Sequence, residues 1–329
     1  MSESARPSIL LLTTGGTIQG AASGRLSQGD YRIGVTPVAR MLEAVPELAS
    51  LADLTVEEMA NVDSVEMTMP ILARVVARIR QAAAAPHPPR GIVLTHGTDT
   101  MEESAYLLHL VTGVDLPVVV TAAMRPATEL GADGPINLWN AVRAAVDPRS
   151  AGRGVIVALN ERLHGPREVL KLFAQSADAF QSPGMGPLGR TDPDGVRYYR
   201  RSERRCGAAS EFVGVDLSQL PRVDLVAAYQ EADGTGCAAA VAAGARGLVL
   251  CGPLSPALKA AARAAALQGL AVVLCHRGAG GAVHVEAADR SWGLCGADDL
   301  SPAKARILLR LALARGVKAG DLPRVFGEY

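Results

Sequence analysis

The chain has 329 residues, of which 49% are hydrophobic and 20% charged, and its 33 Lys plus Arg balance its 33 Asp plus Glu. Balanced charge gives no global field for nucleic acid or an anionic membrane surface, and no stretch approaches the roughly 18 unbroken apolar residues of a membrane span. The length is about twice that of a typical domain, so two domains are expected, each with enough apolar side chain for a core.

The start, "MSESARPSILLLTTGG", has an apolar run too short for a secretion signal, and a cytoplasmic location is expected. Five cysteines (Cys206, Cys237, Cys251, Cys275 and Cys295) lie in the C-terminal part and form no C-x-x-C pair. That speaks against a zinc knuckle or a redox motif; Cys251 and Cys275 end apolar runs and read as buried thiols.

Along the chain, apolar runs of strand length alternate with segments of helical period. Strands are predicted at Ser8–Thr13, Gly91–Thr95, Pro117–Ala122 and Gly154–Leu159, and helices at Met69–Ala84, Met101–Val111 and Ile136–Val146. Glu102 and Glu103 sit in the first turn of the second helix, where the helix dipole favours acids. Continuous apolar strands separated by helices predict an α/β fold, a mostly parallel sheet covered on both faces. From Phe180 to Arg222 the pattern breaks into turn chemistry such as "SPGMGPLGRTDPDG". The expected organisation is an N-terminal α/β domain over 1–200, a linker over 201–222 and a smaller C-terminal α/β domain over 223–329. In the latter, strands Val223–Tyr229, Gly247–Cys251 and Leu270–Cys275 alternate with helices Gly236–Ala243 and Pro256–Gln268. A last helix starts where Ser301 caps and Pro302 takes the first position.

Two strands end in unusual loops, "TTGGTIQG" (13–20) and "THGTDTMEE" (95–103). Ligands of open parallel sheets bind beyond the carboxyl ends of the strands, where both loops lie. Neither loop is G-x-G-x-x-G, and no phosphate-binding G-x-x-x-x-G-K-[ST] occurs. The first loop alone reads equally well as a tight turn with threonine caps. The second sets the Thr98 hydroxyl beside the Asp99 carboxylate at a helix start, a pattern suited to acyl transfer once a base takes a hydroxyl proton. Lys171 is the single lysine of the first 250 residues. A lysine can lose its proton and act as a base, whereas arginine cannot.

Together "TTGGTIQG", "THGTDTMEESAYLL", "AMRPATELGADGPINLWNAV" and "GPLG" resemble the bacterial-type L-asparaginases, the asparaginase/glutaminase family, and the likeness runs on through "SPAKARILLRLAL". The resemblance implies a cofactor-independent, metal-free amidohydrolase that converts L-asparagine to L-aspartate and ammonia. It implies that Thr17 is the nucleophile and that Tyr31, on a closing loop, helps to activate it. Thr98, Asp99 and Lys171 form a second cluster, with Asp99 holding the substrate's α-amino group. Ser64 contacts the α-carboxylate, and Glu286 is an acid supplied by a partner subunit of a homotetramer, a dimer of dimers. Two positions depart from the family pattern, Val65 where glutamine is common and Ser255 where asparagine is common. Both normally grip the substrate, so weak asparagine binding or a different amide (L-glutamine, D-asparagine) is the alternative within this chemistry. A non-catalytic amino-acid-binding module is the alternative outside it. "RYYRRSERR" (197–205) reads as a solvated strand or linker, His96 as structural, and His276 and His284 lack metal-ligand spacing.

Overall fold

The computed structural model describes residues 6–27 and 29–329. The chain divides into two compact units, the first ending at Val213 and the second beginning at Gly214.

The first unit is built on one eight-stranded sheet in the order Gly195–Tyr198, Gly189–Asp192, Arg162–His164, Val155–Leu159, Val118–Thr121, Gly91–Thr95, Ser8–Gly15, Asp53–Val62. Five strands, from Val155–Leu159 to Asp53–Val62, run parallel. The other three are added antiparallel. In the central strands only Ser8 is exposed, because apolar residues occupy both faces and helices cover both. Ile9, Leu11, Val93, Val119 and Ile156 form one core with Met41, Leu48 and the helix Gly134–Val146. The helices Met69–Ala83 and Met101–Val111, absent from that core, pack on each other and cover the opposite face. The chain therefore leaves Ser8–Gly15 toward one face and Gly91–Thr95 toward the other. Adjacent strands whose connections diverge in this way open a crevice at their carboxyl ends.

The α/β architecture matches expectation, and the sequence missed the sheet's margins. Asp53–Val62 is an edge strand with no fully buried residue, so "DLTVEEMANV" carries no apolar run to announce it. Gly189–Asp192 and Gly195–Tyr198 lie within the segment read as turns. Val196 joins the core and Tyr198 packs against it, and polar contacts hold the rest. Arg197 pairs with Asp192 at 2.7 Å and Asp194 at 2.6 Å. Arg149 donates to the Val196 carbonyl, and the Arg153 guanidinium lies 3.9 Å over the Tyr198 ring. Burial pushes the Tyr198 hydroxyl up to about 12. Of the basic run, Arg197 is thus consumed inside this unit, as are Arg200 and Arg201, which donate to the Gly186 and Gly152 carbonyls.

The second unit holds four parallel strands in sequence order, Val223–Ala227, Gly247–Cys251, Ala271–Cys275 and Leu294–Gly296. Helices Thr235–Ala242 and Pro256–Leu267 share a core with Leu248, Leu250 and Val272. The helix Pro302–Ala314 packs over Gly247, where a Cβ would stand 2.9 Å from Leu309. Burial raises the Cys251 thiol to about 11 and the Cys275 thiol further, so both are poor thiolates. Among the described residues, no helix is long and apolar enough to cross a membrane.

Candidate active site

The first loop folds around two consecutive glycines. Gly15 and Gly16 have φ of 91° and 81°, which turn the strand end sharply into the short 3-10 turn Thr17–Gln19. Gln19 closes this turn by accepting from Gly15 N at 3.2 Å. Thr17 ends up 3% exposed, with its hydroxyl 2.8 Å from the Tyr31 hydroxyl. Tyr31 sits on a two-residue antiparallel ribbon, Ala21–Ala22 against Tyr31–Arg32. That ribbon is tied down by Thr128, whose hydroxyl accepts from Ala22 N at 2.7 Å.

The second loop holds Thr98 and Asp99 just ahead of the helix Met101–Val111. Lys171 lies 73 residues further along, on another short ribbon pairing Leu170–Lys171 with Phe180–Gln181. Its ammonium donates to Thr98 Oγ1 at 2.9 Å and to Asp99 Oδ1 at 2.5 Å. The lysine side chain is 14% exposed, whereas Asp99 is 58% exposed and keeps an open side. The single lysine of the first 250 residues thus meets both functional groups of the loop.

The loops are back to back. A Cβ on Gly16 would stand 2.5 Å from Gly97 Cα and 2.6 Å from Gly97 N, closer than any side chain tolerates. Thr14 adds a stitch, donating to the Thr95 carbonyl at 2.9 Å. The strands beneath are in register, Thr13 opposite Thr95, so both loops start at one level. Two hydrogen-bonded hydroxyls, those of Thr17 and Thr98, therefore flank a contact that only glycine permits.

Ser64 joins this group through the turn Ser64–Glu66, which is closed by a reciprocal cap between Asp63 and Glu66. The Ser64 hydroxyl accepts from Asp99 N at 3.1 Å, and its carbonyl accepts from Thr100 Oγ1 at 2.7 Å. Val65 beside it is 67% exposed and offers no side-chain hydrogen bond. His96 is fully buried, and its Nδ1 donates to the Gly97 carbonyl at 2.6 Å. Desolvation lowers its pKa, an effect partly opposed by that bond, so it stays neutral and braces the loop.

Ser255 and Glu286 belong to the second unit. Ser255 is the N-cap of Pro256–Leu267; its hydroxyl accepts from Leu258 N at 3.1 Å and donates to the Ala232 carbonyl. Glu286 starts the turn Ala287–Arg290, is 72% exposed, and lies 3.9 Å from Lys259, which binds Asp289 more closely at 2.8 Å.

Sequence reasoning missed the partners that hold the loops. Thr128 lies in "AMRPATELGADGP", but nothing in the sequence joins it to Ala22, 106 residues away. Asp133 gathers the same segment, accepting from Met124 N, Arg125 N and Asn137 Nδ2 at 2.8 to 3.0 Å.

Comparison with known proteins agrees with this geometry. Residues 8–204 match the family model "Asparaginase, N-terminal", and 222–326 match "Glutaminase/Asparaginase C-terminal domain". The chain belongs to the asparaginase family. It is 38% identical to L-asparaginase 2 of Bacillus subtilis over 98% of this chain and 87% of that one. It is 33% identical to the glutaminase-asparaginase of Pseudomonas fluorescens over 98% of this chain and 90% of that one. The crystal structure of a probable cytoplasmic L-asparaginase from Campylobacter jejuni superposes with a TM-score of 0.94 at 35% identity, covering 99% of this chain and all of that one.

Proposed function

We propose that this member of the asparaginase family hydrolyses the side-chain amide of L-asparagine through an acyl-enzyme on Thr17. The observation that carries the reading is the pair of activated threonines on adjacent strand ends, Thr17 with Tyr31 and Thr98 with Lys171. A purely binding pocket has no use for a second buried hydroxyl held by an ammonium.

Thr17 Oγ attacks the amide carbon, and its proton is carried by way of the Tyr31 hydroxyl to the departing nitrogen, which leaves as ammonia. Water then adds to the ester carbonyl, and the Thr17 oxygen is expelled as it takes one proton from that water by way of Tyr31; the product acid departs and ionises in solution. Glycine-freed backbone N–H groups of the two loops serve as donors for the oxyanion; one such donor contributes about 3 kcal/mol to the transition state. Lys171 fixes Thr98 and holds the Asp99 carboxylate, whose open side receives the α-ammonium of the substrate. The turn at Ser64 takes the α-carboxylate. Glu286 completes the site from a partner subunit in a homotetramer.

Val65 and Ser255 weaken substrate binding by what they fail to supply. Val65 cannot donate or accept through its side chain, and the Ser255 hydroxyl is committed to its helix cap. Each polar substrate group left unpaired costs about 1–3 kcal/mol. We therefore expect L-asparagine to be the best substrate but to bind weakly. The likeness to a probable cytoplasmic enzyme and the five unpaired thiols favour a cytoplasmic enzyme.

Ammonia release from L-asparagine, D-asparagine and L-glutamine, over a wide concentration range, tests the assignment. L-asparagine should lead, with a saturation curve set by Val65. Faster release from either other amide would move the substrate assignment; no release from any of them would overturn the reading.

A further inference from the structure

We propose that Glu102 is a positioning residue that sets the height of the Lys171 ammonium. This inference rests on the reading of Thr98, Asp99 and Lys171 as one functional cluster.

In the sequence Glu102 is one of two acids in a helix's first turn, a placement the helix dipole explains by itself. In the structure it has a second role. Its Oε2 accepts the backbone N–H of Lys171 at 2.8 Å, across 69 residues. Glu102 stands three residues after Asp99, on the helix that follows Thr98 and Asp99. The Lys171 side chain reaches back to those two residues. One closed ring results: the loop leads to the helix, the helix to Glu102, Glu102 to the Lys171 backbone, and the Lys171 ammonium back to the loop.

The ribbon carrying Lys171 needs such a tie. It has only two paired positions, Phe180 with Lys171 and Gln181 with Leu170, and an isolated two-stranded ribbon is marginal in water. Leu172 N donates to the Ala179 carbonyl, so that bond faces the partner strand, while Lys171 N faces the helix and has Glu102 as its acceptor. The partner strand of the ribbon is held separately, just before Phe180. Asp178 accepts from Asn160 Nδ2 at 2.7 Å and pairs with Arg162 at 2.6 Å. Removing Glu102 leaves the partner strand anchored and loosens the strand bearing the lysine.

The bond requires an acceptor oxygen at this reach and no charge, so glutamine should serve where alanine cannot. A shift of about 1 Å in a catalytic group costs on the order of 10²-fold in rate. The test uses the full chain as wild type, Glu102→Ala, Glu102→Gln, Lys171→Ala and the double variant Glu102→Ala/Lys171→Ala. Steady-state kinetics with L-asparagine are measured alongside amide hydrogen exchange on protein labelled with [¹⁵N]lysine, which has only four lysines to resolve. Glu102→Ala is expected to lower kcat by about 10- to 100-fold with KM within about 3-fold. It should also speed exchange at one lysine amide, while Glu102→Gln keeps both the rate and the protection. In the Lys171→Ala background, Glu102→Ala should cost nothing further. Equal damage from alanine and glutamine would mean that the charge at the helix start matters and the bond does not. A loss that multiplies with Lys171→Ala, or unchanged lysine exchange, would also overturn the inference. If wild type releases no ammonia, the functional reading is what fails, and the exchange data alone decide whether Glu102 fixes Lys171.

Discussion

Replacing Gly16 by alanine should separate the two threonine loops, and the cost can be worked from the geometry. Gly16 has φ 81° and ψ −175°, a region open essentially to glycine alone. Forcing an L side chain into it costs about 1–3 kcal/mol. The added Cβ would also stand 2.5 Å from Gly97 Cα and 2.9 Å from the His96 carbonyl carbon, both backbone atoms. Comfortable carbon contacts begin near 3.5 Å, so the loops must part by about 1 Å. His96 and Gly97 cannot retreat easily, since His96 is fully buried and its N–H is bonded to the Thr121 carbonyl at 2.9 Å. The movement should therefore fall on Thr17, and a displacement of that size is worth about 10²-fold in kcat. The assay pairs urea unfolding with steady-state ammonia release. The expected result is a loss of about 1–3 kcal/mol in stability, with kcat down on the order of 100-fold in protein that still folds. A variant within about 3-fold of wild type in kcat would show that the close approach is not needed, and the account of the glycines would be wrong.

Three other substitutions probe separate parts of the site. Tyr31→Phe keeps the ring and removes the hydroxyl 2.8 Å from Thr17; kcat should fall about 10²- to 10⁴-fold with little change in KM, as read from saturation curves. Ser255→Ala should cost about 1 kcal/mol in thermal or urea unfolding through loss of the helix cap, and leave KM unchanged. A raised KM with unchanged stability would return Ser255 to substrate binding. For His96, burial holds the folded-state pKa below the ordinary 6.5, so the unfolded chain takes up a proton first as pH falls. Stability linked to His96 is thus fully present above about pH 6.5 and declines below it, by at most about 1.4 kcal/mol per pH unit. Urea midpoints at several pH values should show the advantage of wild type over His96→Asn shrinking in acid; a constant gap would remove burial as the cause.

How much of this was legible in the sequence follows from where each interaction is encoded. The central strands announced themselves because both their faces are buried, which makes "SILLLT" and "GIVLT" unbroken apolar runs. Asp53–Val62 did not, since an edge strand half open to water needs no such run. The antiparallel strands after Gly189 were hidden for a related reason: arginine–carboxylate pairs and backbone bonds hold them, and in sequence these look like turn residues. Thr17, Thr98 and Asp99 stood out through glycine-rich context and hydroxyl density, and Lys171 through its scarcity. The ties that fix them were illegible. Glu102 to Lys171, Thr128 to Ala22 and Ser64 to Asp99 are ties of one or two bonds across 35 to 106 residues, and one carboxylate or hydroxyl looks like any other until the fold joins them. The glycines of the first loop read as a tight turn, and only the structure shows that Gly16 lies against Gly97.

The central claim is that Thr17 carries the acyl group, and the direct measurement is mass spectrometry of enzyme quenched during turnover of L-asparagine. The account predicts a mass increase of one aspartyl group, located by peptide analysis on the segment containing Thr17. Adding hydroxylamine should divert part of the product to the hydroxamate. In Thr17→Ala both signals should vanish together with ammonia release. An adduct on Thr98, or full ammonia release from Thr17→Ala, would contradict the account and move the nucleophile to the other threonine loop.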